Sequence, residues 1–182
     1  MINHFVMKKT LLLTSFIFCV TVLTAQDGTL DNTFGTGGIV TTPIGTGNDA
    51  AFAVVLQTDG KILVAGYSGG SIAVVRYNTN GTLDNTFGTG GIATAMACSG
   101  NNGASGMALQ TDGKIVVAGY CGIFPDIQVT LARFNTNGIL DTTFDSDGIV
   151  TTNPGATDDR ASAVAIQSDG KIVIGGNNYN GS

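Results

Sequence analysis

A ten-residue string returns three times in this chain. Gln57–Gly66 reads Gln-Thr-Asp-Gly-Lys-Ile-Leu-Val-Ala-Gly, Gln110–Gly119 reads Gln-Thr-Asp-Gly-Lys-Ile-Val-Val-Ala-Gly, and Gln167–Gly176 reads Gln-Ser-Asp-Gly-Lys-Ile-Val-Ile-Gly-Gly. The starts at 57, 110 and 167 are steps of 53 and 57 residues. A second landmark keeps the same steps. Thr29–Ile39, Thr-Leu-Asp-Asn-Thr-Phe-Gly-Thr-Gly-Gly-Ile, recurs unchanged at Thr82–Ile92 and more loosely at Ile139–Ile149, where Asp145 replaces a glycine. One repeat with two landmarks constrains the fold strongly. Each unit must be one supersecondary piece that buries its apolar surface against its neighbours.

The unit reads as short strands. Ala51–Gln57 carries Val54, Val55 and Leu56, the triplet Thr58-Asp59-Gly60 is a turn, and Lys61–Tyr67 is rich in Ile, Leu and Val. Two such runs across an Asp-Gly turn predict a β-hairpin. Ser71–Tyr77 predicts a third strand and Asn78–Gly81 a second turn. Leu83–Phe87 predicts an irregular anchor that sinks its two apolar ends into the core, and Gly91–Ala95 a short fourth strand. No stretch keeps helical spacing. Four strands, a to d, in 53 to 57 residues fit one blade of a β-propeller. The expected fold is all-β, with propeller-type repeats of four short antiparallel strands in an incomplete ring of about 2.5–3 blades. The expected domain runs from 26 to 182, with its third repeat truncated. A ring takes 4 to 8 blades, on the order of 210 to 460 residues at this period. The 182-residue chain is therefore expected to be part of a longer protein whose remaining blades are its first partners.

The first 25 residues read as an export signal. Lys8 and Lys9 precede an apolar run from Leu11 to about Val22, and Leu23-Thr24-Ala25 is a small-residue cleavage site. The run is shorter than a membrane span and is broken by Thr14, Ser15 and Thr21, so no membrane insertion is expected after cleavage. The segment from 26 to 182 holds six basic residues against thirteen Asp, a net charge of −7. Such a surface repels phosphate backbones, so nucleic acid is not an expected partner. The only His is His4, inside the signal, and the chain has no Glu. That removes the commonest general base, His-paired nucleophiles and His-ligated metals from the mature chain. No enzyme activity is inferred.

The string Leu-Asp-x-Thr-Phe-Gly, then Leu-Gln-x-Asp-Gly-Lys-Ile-x-Val-Ala-Gly, then Ala-x-x-Arg-Tyr-Asn-x-x-Gly resembles the delta-60 repeat, from Asp27 to about Gly176. The resemblance implies propeller-like units in secreted or surface proteins of bacteria, and implies no catalytic residues. The third copy departs from it at Asp145 and Gly175. The expected location is extracellular, or the outer surface of a Gram-negative bacterium.

Several constellations carry competing readings. The turns Asp59-Gly60-Lys61, Asp112-Gly113-Lys114 and Asp169-Gly170-Lys171 could ring one face as ligand sites. The favoured reading is that Asp caps its own turn and Lys solvates the strand start. Arg76 and Arg133 could read a carboxylate or sugar, but each is more simply tied to the Asp eight residues on, Asp84 or Asp141, fixing register. The oxygen-rich turns Asn78-x-Asn80-Gly81-x-x-Asp84 and Asn135-x-Asn137-Gly138-x-x-Asp141 hint at Ca2+, but fail the EF-hand pattern. No other cofactor is expected. Gly45-x-Gly47-x-x-Ala50 matches a dinucleotide loop in letters only, since a strand follows it. Cys98 and Cys121 lie before strand a and at the end of strand b of one unit, which makes a disulfide feasible.

The joints Ser68–Ser71, Ser99–Gly106 and Asn153–Asp159 vary while the strands repeat. Variable loops on a repeated frame point to a binding or structural module for glycan or protein at the cell surface. The alternatives are a propeller-type polysaccharide-active enzyme using Asp residues, for which Asp158-Asp159 is the one adjacent acid pair, and a plain spacer.

Overall fold

The computed structural model describes residues 28–155 and 157–179. The signal segment at 1–25 lies outside the described residues. The described chain contains strands and no helix. The first blade is β1 (Asp49–Leu56), β2 (Ile62–Ser68), β3 (Ser71–Tyr77) and β4 (Ile92–Ala95). The second is β5 (Asn101–Leu109), β6 (Ile115–Ile123), β7 (Asp126–Phe134) and β8 (Ile149–Thr152). The third unit contributes the hairpin β9 (Asp158–Ile166) and β10 (Ile172–Tyr179). Within a blade each strand pairs antiparallel with the next. One parallel bridge, Ile127–Asp158, joins β9 to β7. The sheets are open, and the repeats form part of a β-propeller.

The a and b strands differ slightly from their sequence reading, for local reasons. β1 starts at Asp49 because Asp49 and Ala50 pair with Ser68 and Tyr67. Each a–b hairpin carries a bulge, at Ala51/Ala53, Ala104/Gly106 and Gly175/Gly176. A Cβ at Gly66, Gly119 or Gly176 would strike the carbonyl of Ala50, Gly103 or Arg160 across the bulge. That is why the repeated string ends in glycine each time.

The unequal steps also have a structural cause. In the first blade the b–c hairpin closes at the pair Ser68–Ser71. The matching pair in the second blade is Cys121–Gln128, and two further pairs, Gly122–Ile127 and Ile123–Asp126, extend it. These four extra residues turn a step of 53 into 57 and leave Phe124-Pro125 as the tip of the hairpin.

The irregular anchor proves to be the joint between blades. Gly88 donates its N–H to the Asn137 carbonyl of the next blade at 2.7 Å, and Gly35 does the same to Asn80 at 2.9 Å. Phe87 lies against Gly138, where an added Cβ would come 2.9 Å from the ring. Phe34 lies similarly against Gly81. In the third copy Asp145 takes the place of Gly88 and adopts the same left-handed backbone, φ 49° against 52°; Asp tolerates this conformation better than most residues. Residues 29–41 form only an isolated Thr36–Ile39 bridge rather than a strand, since no described c strand lies beside them.

Blades pack face to face. Leu63, Ile72, Val74 and Phe87 of the first blade meet Ile115, Val117, Ala132 and Phe134 of the second in one buried cluster. A smaller cluster of Ala118, Val129 and Ala161 joins the second blade to β9.

Candidate functional site

The chain presents two ends with different characters. One end carries the a–b and c–d turns, which repeat almost letter for letter. Asp59, Asp112 and Asp169 each accept the N–H of the Lys two residues on, at 3.1 Å. Gly60, Gly113 and Gly170 supply the positive φ these turns need, at 83°, 82° and 84°. Lys61 Nζ lies 2.9 Å from Asp84, and Lys114 Nζ 2.9 Å from Asp141. Lys171 pairs with Asp169 at the surface.

Behind these turns lie the Arg–Asp ties. Arg76 Nε donates to Asp84 Oδ2 at 2.8 Å, and Arg133 Nε to Asp141 Oδ2 at 2.7 Å. Arg76 also reaches the next blade, where its Nη1 donates to the Thr136 carbonyl at 2.6 Å. Each guanidinium lies over an aromatic ring, Arg76 over Phe87 at 4.7 Å and Arg133 over Phe144 at 4.5 Å. The Thr86 hydroxyl, Lys61 and Arg76 hold the Asp84 carboxyl well below the usual carboxylate range. Lys114, the Thr143 hydroxyl and Arg133 do the same for Asp141. Acids held anionic in this way are poorly suited to moving protons.

The oxygen-rich c–d turns satisfy themselves. Asn80 Oδ1 accepts from the Thr82 N–H at 3.1 Å and its hydroxyl at 2.7 Å, and Asn137 Oδ1 accepts the Ile139 N–H at 3.2 Å. Asn78 Nδ2 donates to Thr82 Oγ1 at 3.0 Å. These side chains therefore do not form an open oxygen cage. Gly45 and Gly47 precede β1, with no helix terminus for a phosphate.

The opposite end carries the b–c and d–a loops, which differ between copies. Here Cys98 and Cys121 form a disulfide with Cα atoms 5.9 Å apart. Their first-blade counterparts, Gly45 and Ser68, are near neighbours, a Cβ on Gly45 coming 3.5 Å from Ser68 Oγ. The same end holds a repeated feature that sequence reasoning missed, Asp49, Asn102 and Asp159, spaced by the same steps of 53 and 57. Each anchors its d–a loop by accepting backbone N–H groups. Asp49 takes Ile44 at 3.0 Å, Asn102 takes Ala97 at 2.8 Å and Cys98 at 3.1 Å, and Asp159 takes Gly155 at 3.1 Å. Of the adjacent acids, Asp158 instead pairs with Arg160 at 2.6 Å.

Between these loops lies a cleft of about 340 Å³, lined among others by Tyr67, Asn101, Tyr120, Phe124 and Arg160. Arg160 lies over the Tyr120 ring at 4.6 Å, and Phe124 is 70% exposed at its rim. A larger hollow of about 780 Å³ lies on the outer face of the first blade. Its floor residues Ile62, Val64, Val75 and Tyr77 match Ile115, Val117, Ala132 and Phe134, the surface that the first blade covers on the second. Among the described residues no further blade lies against this sheet face.

A family model described as "Domain of unknown function (DUF5122) beta-propeller" matches residues 57–87, 110–144 and 167–182. The repeats are of a propeller type. Each match opens on the a–b turn, and the first two run on through strand c to the Phe of the interblade joint. No curated protein and no solved structure matched the chain.

Proposed function

We propose that this propeller segment is a non-catalytic recognition module of an exported protein, binding a neutral glycan at the loop end. The observation that carries this reading is the cleft between Tyr67, Tyr120 and Phe124. It combines aromatic surface with a few polar groups and sits where the copies diverge. The Arg160 charge is matched by Asp158 through two hydrogen bonds, at 2.6 and 3.3 Å. An acidic ligand would find no free counter-charge there, whereas sugar hydroxyls can use Asn101 and the remaining guanidinium N–H groups. The resemblance to delta-60 repeats and the signal-like start support the exported location. Further blades of the same kind are the natural cover for the open face of the first blade.

The test is binding of the full chain to a panel of neutral and uronic-acid oligosaccharides. Neutral ligands are expected to bind, and Phe124→Ala is expected to weaken binding at least about tenfold, one stacked ring's worth. Absence of binding to every neutral ligand, or stronger binding to the acidic ones, contradicts the reading. Export is tested separately by N-terminal sequencing of the secreted product, expected to begin at Gln26.

A further inference from the structure

Asp159 is the one member of the loop-anchoring trio whose hydrogen bonding does not close. Its side chain belongs to a residue that is 0% exposed. Oδ2 accepts the Gly155 N–H at 3.1 Å, while Oδ1 is buried with no hydrogen-bond partner among the described residues. A buried polar oxygen without a partner is costly and calls for an explanation.

Asn102 shows what this position faces. Its Nδ2 donates to three main-chain carbonyls, those of Gly70 at 3.0 Å, Cys98 at 3.1 Å and Gly100 at 3.0 Å. The position therefore presents positive hydrogen to a ring of carbonyl oxygens. The repeat carries that ring forward. A step of 57 takes Cys98 and Gly100 to Gly155 and Thr157. Gly70, the residue before β3, corresponds by the same step to Ile127, which the lengthened hairpin draws into β7. Gly70 accepts the Asn102 N–H, and Ile127 donates to the Thr157 carbonyl at 2.9 Å and pairs with Asp158. Asp159 Oδ2 accepts the Gly155 N–H as Asn102 Oδ1 accepts that of Cys98, so by the repeat Oδ1 takes the place of Nδ2 and an oxygen is set toward the oxygens. A cation among them resolves the conflict. Asn102 Nδ2 stands about 3 Å from each carbonyl, so the matching oxygens have room around an ion at about 2.3–2.6 Å from each. Carbonyl-rich shells suit calcium, while magnesium keeps its water and demands shorter, octahedral bonds.

We propose that Asp159 is the carboxylate ligand of a Ca2+ site completed by the carbonyls of Ile127, Gly155 and Thr157 and by water. Asp158 takes no part, because Arg160 holds its carboxylate. The ion ties the b–c hairpin of the second blade to the d–a loop before β9, as the Asn102 amide ties the corresponding loops one blade earlier. It does not depend on the glycan reading, since it orders loops whatever ligand the cleft takes.

The experiment uses the full chain stripped with EGTA, then titrated with CaCl2 by calorimetry and melted with and without the ion. One ion per chain is expected, with Tm raised by about 5–10 °C at a hundredfold excess over Kd. Asp159→Asn places an amide on the same carbonyls and should melt at the same temperature with or without calcium. Asn102→Asp should add a second binding event. No calcium binding by the wild-type chain, a calcium response retained in Asp159→Asn, or an equal response to MgCl2 would each overturn the proposal.

Discussion

β2 and β6 carry almost the same letters and different burial. Lys-Ile-Leu-Val-Ala-Gly-Tyr becomes Lys-Ile-Val-Val-Ala-Gly-Tyr. In β6 both faces are closed, with Ile115, Val116 and Val117 at 0% exposure. In β2 only one face is closed: Leu63 and Ala65 are buried while Ile62 and Val64 remain half-buried above the hollow. A continuous apolar strand therefore marks a position meant to lie between two sheets. Whether both sides are covered depends on the neighbouring blades rather than on the strand.

The sharpest way to break this comparison is at the interblade joints. Phe87 is buried between two blades, whereas its copy Phe34 is half-buried. Phe87→Ala is expected to cost about 4 kcal/mol by urea unfolding, and Phe34→Ala about 1 kcal/mol. Equal costs would mean that the two joints are equally covered and would contradict the comparison.

Next come the Arg–Asp ties. Asp84→Ala strands a guanidinium whose side chain is 8% exposed and should cost about 3 kcal/mol. Asp141→Ala should cost less, because the Arg133 side chain is 16% exposed. Both carboxyls titrate below their unfolded value, so the stability they confer is complete above about pH 4. It is lost as pH falls through their lower folded values. Acid unfolding should begin below about pH 4 and flatten in the Asp84→Asn variant. A midpoint that rises on acidification contradicts the assignment.

The disulfide separates the two blades again. Cys98 and Cys121 are 23 residues apart, and reduction should cost about 2–3 kcal/mol. Unfolded, unreduced chain should show no thiol from this pair, and a count of both contradicts the bond. The smallest effect is expected at Lys171, whose side chain is 76% exposed. Lys171→Ala should leave the unfolding midpoint unchanged, in line with other exposed pairs.

Much of the frame was legible because its signals are local and repeated. Asp59-Gly60 announces a tight turn by chemistry, and strand alternation follows from the apolar runs around it. Arg76 and Asp84 can be matched on paper because eight residues carry the chain round one tight turn, closed by the Tyr77–Leu83 bridge. The loop-anchoring trio was harder. Its letters change from Asp49 to Asn102 to Asp159, and only the period reveals that they share a position. The cleft was not legible, because Tyr67, Tyr120, Phe124 and Arg160 come from three units and meet only through blade packing and the lengthened b–c hairpin.

We propose that the repeated end is frame and that the divergent end binds. The most direct measurement compares glycan affinity and unfolding midpoint in two variants, Phe124→Ala at the cleft and Asp112→Ala at an a–b turn. Phe124→Ala should lose binding with an unchanged midpoint, since the ring is exposed, and Asp112→Ala should lower the midpoint and keep the affinity of the folded fraction. Binding lost in Asp112→Ala and kept in Phe124→Ala would contradict the claim.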